Sequence, residues 1–155
     1  MNGNQSYLLK FKPHIFQVFV GLLIVLPLFS CTKQPDYPKP PVKGPDVVID
    51  ITTLKPDAPQ FFTYKLKDKN LRFFVIKSEN KVLSFFDGCS TCYKAKMGYK
   101  FEKGHFVCKK CNMKYSVPEM EKGIGGCFPV RVEGQMRGSS YIIPISLVEK
   151  ASGLF

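Results

Sequence analysis

The chain has 155 residues, 45% of them hydrophobic, with 14 Phe, 7 Tyr, no Trp, and 23 Lys and Arg against 12 Asp and Glu, a formal charge of +11. That is one domain's worth of sequence, too short for a barrel-sized catalytic scaffold and too rich in large apolar side chains for an intrinsically disordered chain. It holds no glycine-rich phosphate loop, no Gly-x-Ser-x-Gly elbow, no His-Glu-x-x-His pair and only two His, so any chemistry rests mainly on its six cysteines.

Residues 1–30 carry Lys10 and Lys12, no acid, and an apolar run over 15–29. At about 1.5 Å per residue the run spans about 22 Å, short of a hydrocarbon slab of about 30 Å, which predicts a signal peptide rather than a transmembrane helix. It stops at Leu28-Phe29-Ser30-Cys31, which resembles a bacterial lipoprotein box and makes Cys31 the lipid anchor. A plain secretory signal or an uncleaved anchor is the alternative. The expected location is the bacterial cell envelope, extracytoplasmic and lipid-anchored, facing the periplasm from the outer membrane in a Gram-negative cell. Thiols there persist only if paired, metal-bound or redox-active. Within residues 1–30 Lys10-Phe11-Lys12 is the only basic cluster and no twin-arginine pair is present, so export is expected to thread an unfolded chain and to favour a metal acquired afterwards. Beyond residue 30 the chain holds 21 basic and 12 acidic side chains, a charge of +9.

Residues 31–45 are expected to be a lipidated cysteine and a proline-rich linker, with five prolines after Cys31. Extended polyproline at about 3.1 Å per residue would lift a domain roughly 40 Å from a bilayer.

Residues 46–155 read as one β-rich domain. Short runs of β-branched and aromatic residues at 47–51, 60–66, 71–76 and 82–86 predict strands, with hairpin turns at 68–70 and 78–80. Shorter strands follow at 99–102, 105–108, 129–133 and 141–145, and brief helices at 90–97 and 146–152. The fold class is mainly β, a small antiparallel domain with Cys-x-x-Cys loops.

Cys89-x-x-Cys92 and Cys108-x-x-Cys111 lie 15 residues apart, and a further 15 precede Cys127. Each unit points two sulfurs at one centre, and two units supply the four thiolates of a tetrahedral zinc or an iron-sulfur centre. Tyr93 and Asn112 stand where haem attachment would need His. A disulfide framework or a dithiol is the competing reading, but with Cys31 lipidated five cysteines remain, and an odd number cannot all pair. Cys127 is then a fifth ligand or a free thiol. His105, Met97, Met113 and Met120 are weaker ligand candidates, and Asp87 is either an acceptor behind the first motif or a turn residue. Lys94, Lys96, Lys100, Lys109, Lys110 and Lys114 surround the cysteines. Export opposes a nucleic-acid partner, so this basic face suits anionic lipid or an acidic redox partner. No acid-base pair supports a hydrolase.

Phe86-Asp87-x-Cys89-x-x-Cys92-Tyr93, Gly98-Tyr99, Val107-Cys108-x-x-Cys111, Tyr115 and Gly125-Gly126-Cys127-x-Pro129 together resemble the FtrD-like membrane iron-sulfur protein family over about residues 71–147. The resemblance implies an extracytoplasmic metal or iron-sulfur protein of iron uptake or electron transfer, beside an iron permease and a cupredoxin-like iron-binding protein. It implies Cys89, Cys92, Cys108, Cys111 and Cys127 as the metal site, holding an iron-sulfur cluster or iron; zinc remains the alternative that the cysteine spacing leaves open. Asn112 stands where the family pattern expects glycine, and Phe128 where it expects a polar residue.

Overall fold

The computed structural model describes residues 36–155; the signal segment and Cys31 lie outside the described residues. Strands dominate and every strand pairing is antiparallel, in three sheets of order β1-β2-β11-β10, β3-β4-β5-β9 and β6-β7-β8. The strands are β1 (Val42–Lys43), β2 (Asp46–Asp50), β3 (Gln60–Leu66), β4 (Lys69–Ser78), β5 (Lys81–Cys89), β6 (Tyr99–Glu102), β7 (His105–Cys108), β8 (Lys114–Tyr115), β9 (Pro129–Val132), β10 (Gln135–Arg137) and β11 (Ser140–Pro144). Helix α1 covers Val117–Lys122 and α2 covers Ile145–Lys150.

Two-residue turns join β3, β4 and β5, closing at Leu66 opposite Lys69 and Ser78 opposite Lys81. Because side chains alternate along a strand, β4 serves two cores at once. Leu71, Phe73 and Val75 join Phe62, Phe86, Val47, Ile143 and Val148 in one cluster with β2, β11 and α2. Phe74 and Ile76 face the opposite side, with Phe85, Phe106, Tyr115 and Met120. The second cluster also takes in Cys89, Cys108 and Cys127, so the sulfurs are built into a core.

The helix expected over 90–97 shrinks to a 3-10 turn at Tyr93–Ala95, because Lys96 turns left-handed at φ 53° directly after it. Helix α1 was not expected, although Ser116-Val117-Pro118-Glu119 carries its start: Pro118 fits the first turn, and the Ser116 N–H donates to the Glu119 carboxylate at 2.7 Å. From Tyr37 onward the proline-rich segment is docked rather than spanning free space. Tyr37 stacks on Phe61 at 4.8 Å between centroids, Thr63 N–H donates to the Pro38 carbonyl, and Val48 N–H donates to that of Pro41. Strand β3 is a sheet edge, and its unpaired groups and apolar Phe61 give the segment somewhere to bind. No helix among the described residues is long and apolar enough to cross a membrane.

Phe74 is fully buried and stacks on Phe106 at 4.5 Å and Phe85 at 5.6 Å, joining the central sheet to β7. Phe74→Ala should cost about 3–5 kcal/mol. The check is the urea midpoint; a loss below about 1 kcal/mol would mean that the two sheets do not depend on this ring for their packing.

Candidate metal centre

Three segments deliver the sulfurs. Cys89 ends β5, and Cys92 follows it in a turn whose N–H donates to the Cys89 Sγ at 2.6 Å. Cys108 ends β7, and the turn after it closes through Asn112 N–H to the Cys108 carbonyl at 2.8 Å. Asn112 sits at φ 59°, a left-handed conformation that Asn tolerates better than most residues, which explains how it stands in place of a glycine. Cys127 comes from the loop between α1 and β9. Tyr99 Oη donates to the Cys127 carbonyl at 2.6 Å, and the Thr91 hydroxyl donates to the Gly126 carbonyl.

The five sulfurs meet around Cys127. Its Sγ lies 3.0 Å from that of Cys111, 3.2 Å from Cys89, 3.5 Å from Cys92 and 3.6 Å from Cys108. All five are free thiols, at separations well beyond the roughly 2.05 Å of a disulfide. Cys89, Cys92, Cys108 and Cys127 form a group whose sulfurs all lie within 4.8 Å of one another. Metal–sulfur bonds of about 2.3 Å in a tetrahedron put sulfurs about 3.8 Å apart, so this donor set fits one thiolate-bound ion. Cys111 is exposed and stands outside that group, although it touches Cys127.

The surroundings shift the five thiols in different directions. Burial opposes the Cys89 thiolate, but hydrogen bonds from Cys127 and from the Cys92 and Thr91 amides hold its pKa below the ordinary thiol value. Cys111 is lowered likewise, against some burial, by Cys127 and the Met113 amide. Cys92 is helped by Cys127 but pushed up to about 11 by its contact with Cys89, burial and the neighbouring thiolates. Burial raises Cys108 and, with the surrounding sulfurs, Cys127.

Behind the sulfurs lies an ion pair that the sequence reading did not single out. Arg72 points from β4 to the same face as Asp87 of β5; both are buried, and Arg72 Nη1 stands 3.6 Å from Asp87 Oδ2. Asp87 Oδ1 accepts the Tyr99 N–H at 2.6 Å, and Arg72 Nη2 donates to the Lys96 carbonyl at 2.8 Å. Burial pushes the Asp87 carboxyl up to about 6, against the opposing pull of Arg72 and the Tyr99 amide. Asp87 is therefore an acceptor within a strand, not a turn residue. Gly98, at φ 69°, is needed because any Cβ there would overlap that carboxylate. The legible signal was Arg72 itself, one cation inside the apolar run Leu71-Arg72-Phe73-Phe74-Val75-Ile76. A buried charge needs a partner.

The weaker candidates fall outside the sulfur group. His105 is exposed and its Nδ1 pairs with the Lys103 carbonyl at 3.0 Å. Met120 is core, Met113 is exposed, and Met97 lines a small cavity beside Arg72 and Asp87.

Fold and site together define a small antiparallel β domain with a cysteine cluster compatible with metal. The family model for FtrD-like membrane iron-sulfur containing proteins matches residues 36–155, and the chain belongs to that family. No curated protein and no solved structure matches the chain.

Arg72→Met and Asp87→Asn should each destabilise the fold by about 3–5 kcal/mol, because each strands one buried charge. The double variant should lose less than the sum. A double-mutant cycle by urea denaturation tests this, and additive losses would show that the two charges do not interact.

Proposed function

We propose that this domain is an extracytoplasmic, lipid-anchored metal protein that holds iron through cysteine and serves electron transfer in iron uptake. The observation that carries the reading is the convergence of Cys89, Cys92, Cys108 and Cys127, three of them buried, within 4.8 Å. Thiolate-bound iron supplies a one-electron couple. The protein's residues hold and orient it: Tyr99 fixes the Cys127 loop, and Asp87 fixes Tyr99. Membership of an iron-sulfur family supports iron. The signal-like residues 1–30 and the lipobox-like Cys31 support export and anchoring. Lys96 and Lys110 line the cavity beside Cys89, Cys92 and Cys108, a local positive charge that suits an acidic redox partner such as a cupredoxin-like iron-binding protein beside a permease.

A second reading is a zinc-stabilised interaction module. It is favoured by the sulfur spacing, which suits a single closed ion, and by the place of Cys89, Cys108 and Cys127 in the hydrophobic core.

Metal and sulfide analysis with an absorption spectrum separates the two, on the full chain extracted from membranes in detergent and never reconstituted. Iron with visible absorption that bleaches on reduction is expected. Colourless protein with one zinc would transfer the case to the interaction module, and metal-free protein would end both. Cys108→Ser should lose the metal and lower the melting temperature together, since structural metal binding is folding free energy. A variant that keeps both would exclude Cys108 as a ligand.

A further inference from the structure

We propose that Cys111 is the exchange ligand of the site: the exposed thiol through which a metal ion enters and leaves, while Cys89, Cys92, Cys108 and Cys127 form the resting set. The inference rests on the reading that these thiols hold metal.

A tetrahedral ion takes four sulfurs, and five are present, so one is surplus at rest. Geometry identifies which. Cys89, Cys92, Cys108 and Cys127 lie mutually within 4.8 Å, and Cys111 does not belong to that group. Cys111 is nonetheless 3.0 Å from Cys127 Sγ, nearer than any sulfur of the resting set. Exposure points the same way, since Cys111 faces solvent while Cys89 and Cys108 are each 3% exposed.

Cys127 is the hinge of the exchange because it touches all four other sulfurs. An ion arriving from solvent would meet Cys111 first and Cys127 next. As the bonds to Cys89, Cys92 and Cys108 form, the bond to Cys111 breaks, and Cys127 keeps hold throughout. Each thiol that binds releases its proton to solvent, and Cys111 takes one back when it lets go. No electron moves and no co-reactant is needed. Once Cys127 has bound, a route of this kind keeps at least two sulfurs on the ion until the resting set is complete. Release is the same path reversed, and exposed Lys110, next to Cys111 in the chain, gives this mouth a positive charge that suits an acidic acceptor.

Cobalt(II) is the probe, because its charge-transfer intensity counts bound thiolates. Cys111→Ser in the full chain should keep one cobalt with native four-thiolate intensity, while capture from solution and loss to EDTA both slow about ten-fold, a barrier change of about 1.4 kcal/mol. Intensity falling to the three-thiolate level, or native rates, would overturn the proposal. A second measurement needs no variant. With native protein loaded with zinc, iodoacetamide should alkylate Cys111 alone among the five domain thiols, read by peptide mass spectrometry. Protection of Cys111, or reaction at another of the five, overturns the exchange role while leaving metal binding intact. Equal reaction of all five with and without zinc would instead remove the metal reading itself, and this inference with it.

Discussion

The Asp87 carboxylate is the joint on which the sulfur site hangs. It lies two residues before Cys89 on β5, so its position and that of the first sulfur are set by the same strand. It accepts the Tyr99 N–H, and Tyr99 in turn pairs with Cys108 across β6 and β7 and donates its hydroxyl to the Cys127 carbonyl. One carboxylate therefore fixes all three sulfur-bearing segments relative to the central sheet. Arg72 sits beside it as the counter-charge, drawn from the neighbouring strand on the same face. A buried pair adds little net stability compared with apolar residues of the same size. Its contribution here is position, and position is what a four-ligand site demands to within a fraction of an ångström.

The same crowding that makes the sulfurs useful makes them costly alone. Against the pull of burial, hydrogen bonds lower the pKa of Cys89 and Cys111, while burial and mutual contact raise those of Cys92, Cys108 and Cys127, so five crowded thiols need something to balance whatever charge they carry. A cation does that work better than protons, since one ion neutralises several thiolates at once. Cys89, Cys108 and Cys127 also pack against Phe74, Phe85 and Phe106. Ligation and core packing are thus the same residues in two roles, which ties the order of the whole cysteine-side core to the state of the sulfurs.

Runs of β-branched and aromatic residues between turn residues made the central sheet legible: residues 60–66 form β3 as read, and the run at 71–76 is the middle of the longer β4. The cysteine spacing pointed to the two Cys-x-x-Cys units as the source of four thiolates and left Cys127 open, whereas the mutually close group takes Cys127 in place of Cys111. It could not show that Cys127 stands in the middle, because that depends on the loop between α1 and β9 folding back over Tyr99 and Tyr115. Gly125 makes that approach possible at φ 96°, where a Cβ would press on the Tyr115 ring. Helix α1 escaped because it is only six residues long, too short for a 3.6-residue period to register, although its capping sequence was present. The proline-rich segment misled for a different reason. Composition reports that such a stretch is extended, and an extended chain with free carbonyls is also what a sheet edge accepts.

That docking changes what an anchor on Cys31 would mean. A free linker over 31–45 would give a reach of roughly 40 Å. With Tyr37 stacked on Phe61, only the residues between Cys31 and Tyr37 remain to span the gap, at most about 20 Å when fully extended. Under the proposed lipid anchor the domain is then held against the bilayer rather than displayed above it. The membrane association of the family fits a short tether of this kind, because at this length the lipid surface itself restricts the orientations open to the domain.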